Sequence, residues 1–211
     1  MILGPQGSGK GTQAKLLVKK LAASYFEGGE ILRQKAKEDS PLGRKINRII
    51  NQEGRLVPDE VITRIVQEWL SQTKARRDIV FDGYPRNLNQ YHALQKMLAK
   101  KKQKIDEVIF LKVSRETSLK RLNARRVCPQ CGLEYNLVTK QPLKDEFCDQ
   151  CSIKLVQRPD DTTKTIQKRL AIYYQATEPI VNLAKSQGIL LEIDGERSIE
   201  AISQEILSKF K

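Results

Sequence analysis

Gly4-Pro5-Gln6-Gly7-Ser8-Gly9-Lys10-Gly11-Thr12 follows the apolar pair Ile2-Leu3 and precedes a run that puts Leu16, Leu17 and Leu21 on one helical face. Glycines at this density let the backbone curl so that successive N–H groups converge on phosphate oxygens. The helix behind the loop adds the partial positive charge of its N-terminus. Lys10 supplies a full charge for β- and γ-phosphates, and Thr12 offers a hydroxyl nearby. A strand, this loop and a helix, in that order, begin a parallel α/β sheet. The residue after Lys10 is Gly11. The general pattern has Ser or Thr there, with a hydroxyl that meets magnesium.

The rest of the chain alternates the two periods such a sheet requires. Helices are expected over 12–23, 30–38, 44–52, 90–100, 115–126 and 199–210, and again after Asp161. Asp59 is expected to cap a further helix, and Ser114 the one that begins at 115. Val61, Ile62, Ile65, Val66, Trp69 and Leu70 recur at helical spacing, which marks a core-facing stripe. Compact apolar strands are expected at 79–81, 108–113 and 189–193. Alternating strands and helices give a parallel sheet covered on both faces.

Composition narrows the class. A chain of 211 residues buries a sizeable core, with room for small inserted lobes. No apolar run approaches the roughly 18–20 residues that span a bilayer. The first residues lack a basic region followed by a long apolar stretch, so a cytoplasmic protein without a membrane partner is expected. The net charge of +13 suits small polyanions or nucleic acid. Aromatic residues are only 6% and are not interleaved with a basic stripe, so stacking of single strands is poorly supported. The lysines of 100–104 are expected on a solvated face.

All four cysteines fall between 127 and 157, where helical periodicity is lost. Cys128-Pro-Gln-Cys131 and Cys148-Asp-Gln-Cys151 are two C-x-x-C pairs with sixteen residues between them. That is zinc-ribbon spacing, and four thiolates leave no open position, so the Zn²⁺ would be structural. A segment this short cannot bury much core, and a metal staple compensates.

Further segments carry a family resemblance. Gly29-Glu30-Ile31-Leu32-Arg33, Gly54-Arg55-Leu56-Val57-Pro58-Asp59-Glu60 and Phe81-Asp82-Gly83-Tyr84-Pro85-Arg86, with Gln90 downstream, are similar to elements of the adenylate kinases. So are Arg121-Leu122-Asn123-Ala124-Arg125-Arg126, Arg158-Pro159-Asp160-Asp161 and Lys168-Arg169-Leu170. They occur in the family's order over nearly the whole chain. The first strand is about three residues shorter than is usual in the family, and within the motifs the sequence departs at four places: Gln6 in the loop GPQGSG where the family has GxPGxG, Gly28 for Thr, Glu30 for Asp, and Tyr84 for Phe.

The resemblance implies a P-loop α/β fold, with a parallel five-stranded sheet flanked by helices, a small helical monophosphate-binding lobe and a zinc-ribbon-like lid. The core would be 1–26, 58–123 and 162–211, the lobe 27–57 and the lid 124–161. The implied reaction moves the terminal phosphoryl group of ATP to AMP and gives two ADP, with Mg²⁺ accompanying ATP. The implied donor site is Gly7, Ser8, Gly9, Lys10, Gly11, Thr12, Arg121 and Arg125, with Arg121 stacking on the base. Arg121 and Arg125, four apart on the expected helix, would face one side. The implied acceptor site is Gly28, Arg33, Arg55, Val57, Gly83, Arg86, Gln90, Arg158 and Arg169. Arg33 and Arg86 would hold the monophosphate and Gln90 would read its base. Lys10, Arg86, Arg125, Arg158 and Arg169 would surround the phosphoryl group in transit, and Asp82 would orient Mg²⁺ through water. Asp161 is expected to cap the helix after it, and Asp160 to pair with lid arginines. A monomer is expected. The same fold acting on UMP, CMP or GMP stays open, and a nucleic-acid-binding zinc-ribbon NTPase is a distant alternative. No base-reading Asn-Lys-x-Asp motif supports a GTPase switch.

Overall fold

The computed structural model describes residues 1–73, 78–159 and 161–210. Asp160, expected to pair with arginines, lies outside them. The chain enters through β1 (Ile2–Leu3), the loop and α1 (Lys10–Leu21). It continues through β2 (Ser24–Glu27), α2 (Gly28–Lys35), α3 (Pro41–Asn47), a π-helical turn at Arg48–Glu53 and α4 (Asp59–Gln72). β3 (Ile79–Asp82), α5 (Leu88–Lys100), β4 (Val108–Lys112) and α6 (Arg115–Asn123) complete the first part. β5 (Arg125–Val127) and β6 (Glu134–Asn136) then lead to α7 (Thr163–Ile172), a π-helical turn at Tyr173–Thr177, α8 (Glu178–Ser186), β7 (Leu190–Asp194) and α9 (Ile199–Ser208).

Five strands form one parallel sheet in the order β2-β3-β1-β4-β7. β1 is its two-residue centre, with Ile2 pairing both Asp82 and Ile109. Both its residues are buried, as a central parallel strand requires. The chain runs to β2 and β3 on one side of β1 and to β4 and β7 on the other. β1 is therefore the switch point, and the crevice outside its carboxyl end is where open α/β sheets hold ligands.

Helices cover both faces. Ala14 and Leu17 of α1 meet Ile202 and Ile206 of α9 over Val80, Ile109, Leu111 and Ile193. On the other face, Tyr91 and the α8 residues Ile180, Val181 and Ala184 pack on Leu3, Val108 and Phe110. The α4 stripe Ile62, Ile65, Val66 and Leu70 is buried, and Trp69 meets Phe26 edge-on at 5.3 Å.

Several local expectations need correction. α1 stops at Leu21 because Ala22 adopts a left-handed conformation at φ 49°, and the chain turns into β2, which periodicity did not reveal. Four residues with only Phe26 fully buried are too few to display a period of two. Asp59 does not cap α4. Pro58 takes that position, and the Asp59 carboxylate accepts from Asn87 Nδ2 at 2.8 Å and Gln90 Nε2 at 2.7 Å. α6 ends at Asn123, so Arg125 belongs to β5 and shares no helix with Arg121.

β5 and β6 pair antiparallel beneath a small satellite core of Cys128, Tyr135, Cys148 and Leu155. No helix among the described residues is long and apolar enough to cross a membrane.

Candidate active site

The loop leaves β1 and enters α1 through backbone states that L-residues avoid. Gly7 and Gly9 sit at φ 83° and 87°, in the left-handed region where only glycine is unstrained. Gly9 caps α1 without a side-chain bond, and the first turn carries no acidic residue. The helix end is thus left to an anion. Ser8 Oγ is buried with no hydrogen-bond partner, a state that a bound phosphate oxygen would relieve. Lys10 Nζ donates to Pro5 O at 3.2 Å.

A cleft of about 510 Å³ opens over this loop. Gly7, Ser8, Gly9, Lys10, Gly11 and Thr12 line it, with Asp82 and Gly83. Arg33, Arg86, Arg121, Arg125, Arg158 and Arg169 also line it, each from a different segment of chain. Burial lowers the Lys10 pKa to about 8, with Asp82 opposing the shift and Arg86, Arg125 and Arg169 adding to it. One ammonium and several guanidinium groups therefore share this space with the carboxylates of Glu27, Asp82, Glu134, Glu196 and Glu200.

Each cation has a carboxylate or carbonyl to lean on. Arg33 Nη2 lies 2.8 Å from Glu30 Oε2 and 3.5 Å from Glu27 Oε1. Arg86 Nε donates to Gly83 O at 2.9 Å. Arg121 Nη1 donates to Gly195 O at 2.8 Å. Arg158 pairs with Glu134. Asp161, expected as a helix cap, is instead buried and takes two hydrogen bonds from Arg125. Thr162 caps α7, accepting from Thr165 N at 3.3 Å.

Asp82 ends β3 and is buried. Desolvation raises its pKa, opposed by Lys10 and reinforced by Glu27. Tyr25 Oη donates to Asp82 Oδ2 at 3.1 Å. Asp82 borders the loop at Gly11, where an added Cβ would lie 3.4 Å from Asp82 Oδ2, an ordinary contact. A hard oxygen donor facing a phosphate cleft suits Mg²⁺.

The remaining acceptor-side residues stand apart from the cleft. Arg55 lines a smaller pocket of about 60 Å³ beside Arg33, Arg86 and Arg169. Val57 is buried in the core under α4. Gly28 packs its backbone against the turn after β3, since a Cβ there would lie 3.1 Å from Gly83 O. Gln90 is buried, its Nε2 on Asp59 and its Oε1 accepting from Arg86 N at 2.8 Å.

The four cysteine Sγ atoms lie within 4.8 Å of one another, and none is in a disulfide. Zinc–sulfur bonds of about 2.3 Å in a tetrahedron put sulfurs about 3.8 Å apart, so the set fits Zn²⁺. Cys131 and Cys148 are 3.6 Å apart. Both pairs make the same turn. Gly132 N donates to Cys128 O, and Ser152 N to Cys148 O. Gly132 and Ser152, which follow the second cysteine of each pair, both have positive φ.

Sequence reasoning gave no role to Gln6, Tyr25, Glu27 or Glu134. Glu27 lines the cleft, and Glu134 holds Arg158. Only Gln6 carried a signal, as a departure inside the loop.

A nest of amides, one lysine, converging arginines and a cluster of four cysteines define a P-loop nucleotide phosphotransferase. A sequence model of the adenylate kinase family matches residues 2–189. A curated protein from Moorella thermoacetica named adenylate kinase is 43% identical over 202 residues, which cover 96% of this chain and 93% of that one. Its namesake from Archaeoglobus fulgidus is 40% identical over 206 residues (98% and 94%), and that from Kosmotoga olearia 36% identical over 211 (100% and 98%). The chain belongs to the adenylate kinase family, and it is an enzyme of that type.

Proposed function

We infer that the cleft binds ATP and AMP together and transfers the terminal phosphoryl group of ATP to AMP, giving two ADP. The convergence of Lys10 with guanidinium groups from separate elements on one loop-bounded cleft carries this reading. Two nucleotides bring several negative charges within a few ångströms of one another. Lowering the barrier is then a matter of alignment and charge neutralisation.

The loop amides of 7–12 and Lys10 hold the donor phosphates, Arg121 packs on the donor base, and Arg125 reaches the γ-phosphate. Arg33 and Arg86 take the acceptor phosphate, exchanging their carboxylate and carbonyl partners for its oxygens. Arg55, Val57, Gly28 and Gly83 shape the acceptor pocket, and Gln90 reads the base by exchanging its Asp59 and Arg86 partners for it. An acceptor phosphate oxygen bonds to the γ-phosphorus as the bond from that phosphorus to the bridging oxygen breaks. The electron pair stays on the departing ADP, and no proton has to move. Lys10, Arg86, Arg125, Arg158 and Arg169 spread the charge that builds on the γ-oxygens. Asp82 would hold Mg²⁺ beside the donor phosphates, and the ion would supply further neutralisation of their charge. Residues 124–161 act as a lid that excludes water, and Cys128, Cys131, Cys148 and Cys151 would hold a zinc ion that keeps it rigid. The enzyme works as a cytoplasmic monomer.

A coupled assay with ATP and each of AMP, GMP, CMP and UMP tests the reading. AMP is expected to be the preferred acceptor. Preference for another monophosphate would replace the acceptor, and loss of phosphotransfer with all four would remove the activity.

A further inference from the structure

The third residue of the phosphate loop is Gln6. Gln6 lines the large cleft and also the smaller pocket that Arg33, Arg55, Arg86 and Arg169 bound, so it stands where the two meet. Of the two ends of its carboxamide, only the oxygen is sealed from solvent without a hydrogen-bond partner. A sealed, unpaired acceptor is costly and rare, and it marks a group awaiting a partner. Read either way round, the amide presents one donor end and one acceptor end.

The loop backbone beside this side chain is pinned. Next to it, Gly7 is pressed onto α6 so closely that an added Cβ would lie 2.8 Å from Ser118 O. Ser8 N donates to Pro5 O at 3.1 Å across the turn. The carboxamide is therefore held at the border between donor and acceptor sites. Phosphate oxygens accept hydrogen bonds and guanidinium groups donate them, so a bound phosphoryl group satisfies one end of the amide and an arginine the other.

We propose that Gln6 is a further substrate-contacting catalytic residue, donating its carboxamide N–H to the phosphoryl group in transit and accepting from the guanidinium of Arg86 or Arg169. This rests on the phosphotransferase reading above. The amide gains and loses no proton. The bond to the acceptor oxygen forms and the bond to the bridging oxygen breaks as before. The hydrogen bond strengthens as charge gathers on the transferred oxygens, so it acts on kcat rather than on binding of either nucleotide alone.

Gln6→Met keeps length and bulk but removes both hydrogen-bonding ends, and Gln6→Glu keeps shape but opposes a phosphate. With ATP and AMP, Gln6→Met is expected to lose about 10–100-fold in kcat with both KM values within about threefold. Gln6→Glu is expected to lose more. By calorimetry both variants are expected to bind a bisubstrate dinucleotide pentaphosphate more weakly than the wild type. Gln6→Met is expected to melt no lower than the wild type, because a sealed unpaired oxygen is gone. Turnover of Gln6→Met within twofold of wild type would overturn the proposal. So would a fall in kcat in both variants matched only by a fall in melting temperature, with dinucleotide affinity intact. Lys10→Met run in parallel separates the two readings. If it stays active the phosphotransferase site is wrong, whereas indifferent Gln6 variants beside an inactive Lys10→Met sink only the role of Gln6.

Discussion

Asp161 grips Arg125 with both carboxylate oxygens, Oδ2 taking the Nε hydrogen at 2.7 Å and Oδ1 the Nη2 hydrogen at 2.5 Å. Arg169 Nη1 stands 3.5 Å from the same Oδ1. Residue 125 precedes the cysteine-bearing segment and residue 161 follows it, so this ion pair ties the two ends of that segment together. The Asp161 side chain is fully buried, and each arginine is 17% exposed.

Asp161→Asn removes the carboxylate that Arg125 and Arg169 share. Breaking a fully buried pair costs about 3–5 kcal/mol, and the partial exposure of the arginines reduces this to about 2 kcal/mol. For a chain of this size that is a fall of about 4–8 °C in melting temperature, measurable by calorimetry. Turnover is expected to drop about tenfold, because Arg125 and Arg169 lose their fixed aim. An unchanged melting curve would show that the pair holds nothing in place.

Lys10 gives the enzyme a basic limb. Its pKa is lowered to about 8, from 10.5 in the unfolded chain. The free enzyme should therefore lose its loop cation as pH rises through about 8, and kcat/KM for ATP should fall there. With nucleotides bound, phosphate charge restores the ammonium, and the limb in kcat should move higher. Stability has the opposite slope. Between about pH 8 and 10.5 the unfolded chain binds more protons than the folded one, so stability is expected to rise with pH across that window. Parallel pH–rate and pH–melting profiles check both signs. Lys10→Met should abolish the limb, lose at least about 100-fold in turnover and melt no lower than wild type.

Removal of zinc should loosen the lid without erasing the chemistry. The satellite core of Cys128, Tyr135, Cys148 and Leu155 is too small to hold the segment alone. Chelation, or Cys148→Ala, is expected to lower the melting temperature and to leave measurable phosphotransfer, since Lys10, Arg33 and Arg86 do not depend on the staple. Full metal loss, verified by elemental analysis, with no change in melting would count against a structural metal.

Tyr25→Phe removes one hydroxyl and keeps the ring. Asp82 then loses its Tyr25 donor at 3.1 Å while staying buried. The expected cost is about 1 kcal/mol of stability and a severalfold higher Mg²⁺ concentration for half-maximal turnover, with KM for AMP unchanged. A magnesium titration at fixed nucleotide tests it. An unaltered requirement would make the hydroxyl a packing detail.

Much of this was legible because the signals are local. A loop rich in glycine before a lysine can do little but curl around an anion. C-x-x-C pairs sixteen residues apart bring four sulfurs together once each makes its own turn. The α4 stripe announced its buried face by spacing alone. β2 was not legible, since its four residues owe their strand to Ile79–Asp82 alongside them rather than to their own pattern. Nor was the end of α6 before Arg125, which follows from β6 pairing with the chain at Arg125–Val127.

By itself the sequence determined the alternation of strands and helices in the main sheet, the phosphate loop, the cysteine tetrad and the identities of the cations, because each depends on residues a few positions apart. Only the tertiary structure decided their partners. Asp161 turned from a helix cap into the counter-ion of Arg125, Asp59 became the acceptor for Gln90, Tyr25 reached Asp82, and Gln6 came to stand between two pockets. Such pairings join residues tens of positions apart. Burial and Coulomb attraction select them only after the sheet has brought the strand ends together.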